Sequence, residues 1–179
     1  MMDARWTEGP KVELKDMLLA REQRVQRRED GLALYRMPMI TFSVVMPGPV
    51  KLCPMSELIA KEADRAVRER LSALGWESHL LWSLNAPSGP EALFAVACEA
   101  DLLKKAMVEL EESHPLGRLW DLDVHGADGQ AISRRDIGLA PRRCLICDQP
   151  AHACARSRRH EIKDIMRAME ERIRRFVKN

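Results

Sequence analysis

The chain has 179 residues, of which 46% are hydrophobic and 31% charged, a composition that suits one soluble domain with an appended element and a sizeable core. No apolar run nears the roughly 20 residues that span a bilayer, and residues 1–6 lack the apolar centre of a signal peptide, so a cytoplasmic protein with reduced thiols and no membrane partner is expected. Net charge is only +2, but residues 134–179 hold 13 Lys+Arg against 6 Asp+Glu, and such a basic C-terminal quarter suits either an anionic partner or a solvated helical face.

In chain order, residues 11–30 read as a helix with an apolar beginning (Val12, Leu14, Met17, Leu18, Leu19), and Gly31 is its expected stop. Residues 39–46 alternate as a strand before Pro47-Gly48-Pro49 breaks it. Residues 56–74 follow as a helix with Ser56 as N-cap and Ile59, Ala63, Ala66, Val67, Leu71 and Leu74 on one face. Strands are expected over 76–84 and 92–98, joined by a tight connection through Pro87, Ser88 and Gly89. A helix over 100–112 leads into a fourth strand over 118–125, then a short strand near 131–133. Residues 141–160 are rich in Cys, Arg and His, and 161–177 form a last amphipathic helix with Ile162, Ile165, Met166, Met169, Ile173 and Phe176 inward. The fold class is α+β, with a ferredoxin-like βαββαβ core, an N-terminal helix and a C-terminal Cys/Arg-rich segment plus helix. That arrangement places the first and third strands centrally and the second and fourth at the edges.

The fourth strand carries Asp121-Leu122-Asp123. Side chains two apart on a strand share a face, so the two carboxylates stand side by side and Trp120, Leu122 and Val124 pack on the other. Adjacent carboxylates repel unless a cation lies between them, and an oxygen-only set with open positions suits Mg²⁺. The plain alternative is a solvated strand edge.

Cys144, Cys147, Cys154 and His160 offer four soft ligands within 17 residues. They read either as a closed structural Zn²⁺ site or as small thiols packing the last helix on the sheet. Arg118, Arg134 and Arg135, with Arg142 and Arg143, offer guanidinium forks for phosphate. His114 is a base, a phosphate donor or a helix cap. Ser88 and Gly89 form a substrate loop or a hairpin turn. No P-loop, dinucleotide fingerprint or nucleophile elbow is present. The few aromatic residues do not interleave with the basic pairs, so nucleic acid is not the expected partner.

The string from His114 to Val124, H-P-L-G-R-L-W-D-L-D-V, resembles the signature of the citrate lyase holo-acyl-carrier-protein synthases, or apo-citrate lyase phosphoribosyl-dephospho-CoA transferases. Arg21 to Arg24, Pro47 to Pro49 with Lys51, Ser88 to Glu91, Ser133 to Asp136, and Pro141 to Cys147 with Cys154 to Arg156 and His160 match the same family. The resemblance runs from about residue 20 to 165. It implies a single transferase domain over 1–179, with a core over about 36–133 and a basic extension over about 134–179. It also implies a nucleotidyl transfer. The triphosphoribosyl-dephospho-CoA substrate is attached to a serine of the citrate lyase acyl carrier (gamma) subunit, and diphosphate leaves. Related synthases of malonate decarboxylase also carry an essential D-x-D. Under this resemblance Asp121 and Asp123 hold Mg²⁺. Arg118, Arg134, Arg135, Gly117, Ser88 and Gly89 contact substrate, and Asp123 or His114 takes the serine proton. Two rivals remain open, the same transfer to the malonate decarboxylase carrier and a non-catalytic carrier-binding assembly module.

Overall fold

The computed structural model describes residues 4–178; residues 1–3 of the N-terminal stretch, and residue 179, lie outside the described residues. Five strands form one sheet: β1 (Met39–Val44), β2 (Ser78–Ala86), β3 (Gly89–Val96), β4 (Trp120–His125) and β5 (Ala131–Ile132). Their order is β2-β3-β1-β4-β5 and every neighbouring pair is antiparallel. Five α-helices accompany them among the described residues: α1 (Leu14–Tyr35), α2 (Pro54–Ala73), α3 (Ala100–Ser113), α4 (Ala151–Ser157) and α5 (Ile162–Lys178).

Strand alternation divides the sheet into two unequal faces. Ile40 and Phe42 of β1, Ala92, Phe94 and Val96 of β3, and Trp120, Leu122 and Val124 of β4 join the main core with Ile59, Val67, Leu71, Leu103 and Met107 of α2 and α3. Met169 and Ile173 of α5 close the same cluster. The opposite face is apolar only beside α1, where Met39, Leu93 and Ala95 meet Leu32, Tyr35, Leu81 and Trp82. β3 lies between β1 and β2 and all eight of its residues are buried, as its nearly unbroken apolar run leads one to expect.

Several sequence expectations shift. Gly31 does not stop α1. It is buried inside the helix, where a Cβ would meet Leu81 Cδ1 at 2.7 Å and Met39 Cε at 3.3 Å, so it lets the helix approach the sheet. The stop is Arg36, in the left-handed region at φ 52°, with its N–H donating to Leu32 O at 2.9 Å. Ser56 is not the N-cap of α2. Cys53 takes that position and Pro54 occupies the first turn, where its missing N–H is not needed. Ser56 Oγ instead accepts the Cys53 N–H at 3.0 Å.

The apolar beginning of α1 is largely solvated, with Leu14, Leu18 and Leu19 all more than half exposed, and Ile162 at the start of α5 is 55% exposed. The 141–160 segment contains the short α4, for which its scattered apolar residues offer no helical stripe. β4 is not the outermost strand, because β5 pairs with it at Val124 and His125. Next to Asp121 and Asp123 no strand among the described residues covers its outer side, so the expected accessibility survives there.

Candidate functional site

Asp121 and Asp123 face away from the core that buries Trp120, Leu122 and Val124. Register extends their surroundings: Asp121 stands opposite Ser43, which stands opposite Glu91, and Asp123 stands opposite Thr41. With strands about 4.8 Å apart, carboxylates and hydroxyls form two polar rows on one face. The Thr41 hydroxyl is buried and has no hydrogen-bond partner. Glu91 is also buried, and its charge is neutralised by Arg24 reaching across from α1. His125 continues the same face, two residues beyond Asp123. Burial, and then the charges of Arg28 and Lys104, push its imidazole down to about 4, so it is neutral near pH 7.

One side chain lies along the unpaired edge of β4 beside Asp121. Arg142 pairs with Asp121, and its guanidinium also donates to the carbonyls of Trp120 and of Arg118, the latter at 3.0 Å. A fourth contact reaches Gly117 O at 3.5 Å. A planar fork with five donors suits this edge, where carbonyls and a carboxylate converge.

Asp121, Arg118 and Arg142 line a cavity of about 1000 Å³. Arg158 and Lys163 line the same cavity, with Leu145, Ile146 and Ile165 among the apolar lining. Half-buried Arg118 has its pKa lowered to about 10, first by burial and then by the neighbouring charges of Arg142 and Arg172. It remains a cation, so this is a site of accumulated positive potential that an anion would relieve. A second cavity of about 520 Å³, lined by Arg70, Glu109, Leu110, Glu112 and Ser113, contains none of the sequence-predicted residues.

The other predicted residues are distributed differently. Gly117 is buried, and a Cβ there would lie 2.3 Å from Glu111 O, so it allows the turn before β4 to press on the end of α3. His114 packs on Trp120, with ring centroids 4.5 Å apart, and thus lies on the core side of β4. Its Nδ1 accepts the Leu116 N–H at 3.1 Å, and its Nε2 lies 3.3 Å from Glu62. Burial holds its pKa below the usual histidine value despite the Glu62 carboxylate. Arg134 is committed to Glu111 at 2.8 Å and Glu112 at 2.6 Å, which ties its loop to α3. Arg135 is exposed outside the cavity. Ser88 and Gly89 sit at the β2–β3 turn, at the same end of the sheet as Asp121, but they do not line the cavity. Gly89, at φ 108°, would place a Cβ 3.5 Å from the Lys51 backbone, and Lys51 Nζ donates to Met46 O.

The cysteine segment also lines this cavity. The ligand atoms of Cys144, Cys147, Cys154 and His160 all lie within 4.8 Å of one another, a cluster able to hold a metal ion. Burial raises the Cys144 thiol, but the backbone N–H groups of Cys147 and Ile146 outweigh it and hold the thiol below its ordinary value.

Residues 12–176 match the sequence model of the apo-citrate lyase phosphoribosyl-dephospho-CoA transferases. The chain belongs to this family. Its relatives under that name include a protein of Escherichia coli O9:H4 (strain HS), 41% identical over 159 residues, or 89% of this chain and 87% of the relative. A protein of Shigella boydii serotype 18 is 40% identical over the same shares. The chain is thus a transferase, and stretches that carried the resemblance meet in the structure. Arg24 of the R-E-Q-R stretch pairs with Glu91 of the S-G-P-E stretch, beside the D-L-D face. For this transferase, sequence reasoning overlooked His125, Ser43, Thr41 and the Arg24–Glu91 pair as parts of the site. His125 was accessible through the same period-two spacing that joins Asp121 to Asp123. The pairing of residues 67 positions apart leaves no local signal.

Proposed function

We propose that the chain transfers the triphosphoribosyl-dephospho-CoA group to a serine of the acyl carrier (gamma) subunit of citrate lyase. The serine hydroxyl attacks the phosphorus next to the ribose, a phosphodiester forms, and the bond to the departing diphosphate breaks. The carrying observation is Asp121, on a strand face of carboxylates and hydroxyls, opening into a cavity walled by Arg118 and Arg142. Phosphoryl chemistry needs positioning and charge neutralisation more than covalent help, and this site supplies both. Arg118 and Arg142 grip phosphate oxygens, with Arg158 and Lys163 lining the same cavity. Exposed Asp123 accepts the serine proton, since both ring nitrogens of His114 are engaged on the far side of the strand.

Asp121 and Asp123 fit Mg²⁺. The donors are all oxygen, and the orphaned Thr41 hydroxyl beside Asp123 adds a further hard ligand atom. Bound there, Mg²⁺ would supply Lewis-acid charge neutralisation at the attacked phosphate. The strand order with β1 and β3 central, and the βαββαβ sequence of elements, support a ferredoxin-like core carrying a single transferase domain. The basic extension from residue 134 offers a docking face for an acidic carrier. No helix among the described residues is long and apolar enough to cross a membrane.

The test is the intact mass of apo-carrier after incubation with this protein, Mg²⁺ and the donor. The expected result is a gain equal to the donor minus diphosphate, abolished by EDTA. No gain with folded protein and competent donor, or a gain only on the malonate decarboxylase carrier, would overturn the assignment.

A further inference from the structure

We propose that Cys144, Cys147, Cys154 and His160 bind one Zn²⁺ ion in a closed tetrahedral site that fastens the 141–160 segment beside β4. Zinc binds thiolate at about 2.3 Å and imidazole at about 2.0–2.1 Å, so the edges of its tetrahedron measure roughly 3.5–3.8 Å. Cys147 Sγ lies 3.5 Å from Cys154 Sγ and 3.3 Å from His160 Nε2, close to those edges. A disulfide requires sulfurs at about 2.05 Å and would leave a thiol and an imidazole converging on it without purpose. Simple packing of buried thiols fails as well, because Cys144, Cys147 and His160 are only partly buried and Cys154 alone is enclosed.

The backbone is shaped around the four ligands. The Ile146 N–H points to Cys144 Sγ at 3.5 Å, and the Cys144 N–H closes the turn on Gln149 O at 2.7 Å. Helix α4 carries Cys154 and ends at Arg158 in the left-handed region, φ 49°, a conformation disfavoured for a residue with a Cβ. That turn, with the Arg159 N–H donating to Cys154 O at 3.1 Å, brings the chain back to His160. Among residues 134–160 the only fully buried hydrophobic is Cys154. So poor a core needs another source of order, and a bound ion supplies folding free energy directly.

Four protein ligands leave no open position, which makes the site structural. Its reach extends to the Asp121 face. Arg142 precedes Cys144 by two residues, and its carbonyl accepts the Ala151 N–H at 2.8 Å at the start of α4. The ion therefore fixes the backbone that follows Arg142 and the start of α4 to which its carbonyl is bonded.

Elemental analysis of the full chain, purified without chelator, tests this independently of any transfer assay. The expected result is one zinc per chain, falling at least about tenfold in Cys147→Ser and in Cys154→Ser, and unchanged in Cys98→Ser. Cobalt exchanged into the wild-type protein should show thiolate-to-metal charge transfer and the intense visible bands of a tetrahedral ion, a readout that holds even where the serine variants fail to fold. Wild-type protein that carries no zinc and gives no such spectrum with added cobalt under reducing conditions would overturn the proposal. Full occupancy in folded serine variants would do the same.

Discussion

Strand β4 and the segment 134–160 both contribute to the wall of one cavity, but they are held by different forces. β4 is fixed by buried side chains and by a ladder to β1: Trp120, Leu122 and Val124 are at most 1% exposed. The 134–160 segment buries almost nothing and is held by polar contacts, Arg134 to Glu111 and Glu112 and Arg142 to Asp121, beside the converging side chains of Cys144, Cys147, Cys154 and His160. The rigid wall carries Asp121, and the proposed phosphoryl transfer depends on such a group being held firmly in position. The polar wall carries cationic groups that a substrate can rearrange.

Breaking the rigid wall should give the largest effect on stability. Trp120→Ala removes the largest fully buried side chain and is expected to cost about 3–5 kcal/mol in urea unfolding; a loss under ~1 kcal/mol would show that the strand is not anchored by its core face. Arg134→Ala breaks a pair with the buried Glu111 and should cost about 3 kcal/mol while leaving the KM for the donor unchanged. A raised KM at unchanged stability would instead give Arg134 a role in phosphate binding.

The neutral His125 sharpens the contrast through pH. Its folded value of about 4 lies below the unfolded value of about 6.5, so the unfolded chain binds more protons between them. The stability it contributes is complete above about pH 6.5 and is lost as pH falls towards 4. The acid loss measured between pH 7 and 4 should therefore shrink by about 2–3 kcal/mol in His125→Asn; an unchanged profile would contradict the burial assigned to this imidazole. The smallest effect is expected for Arg142→Lys, which keeps a charge but loses the fork joining Asp121 to two carbonyls. Transfer should slow by about tenfold with stability almost unaltered, and full activity would show that the edge contact is dispensable.

What could be read from the residues follows the same division. The D-L-D face, the strand sequence and the core stripes of α2 and α3 were legible, because local periodicity dictates which side of an element meets the core. The convergence of the cysteines was legible as a cluster but not as a geometry, since it depends on α4 and on the left-handed turn at Arg158. Gly31 misled because a helix stop and a close helix–sheet approach both select glycine, and only the packing partners Leu81 and Met39 decide between them. His114 stood four residues from Arg118 and seven from Asp121, yet sequence proximity did not predict that its ring would turn to the core side and pack on Trp120. The Arg142–Asp121 and Arg24–Glu91 pairs, 21 and 67 residues apart, depend on tertiary structure alone.

The most direct test of the carboxylate face as reaction centre is the initial rate of carrier modification by Asp121→Asn, Asp123→Asn and His114→Gln, measured in parallel on proteins shown to be folded. Both aspartate variants should lose about 10³-fold or more, while His114→Gln retains activity within about tenfold. Aspartate variants that keep the wild-type rate, with the loss falling on His114 instead, would move the reaction to the other side of β4 and contradict the account.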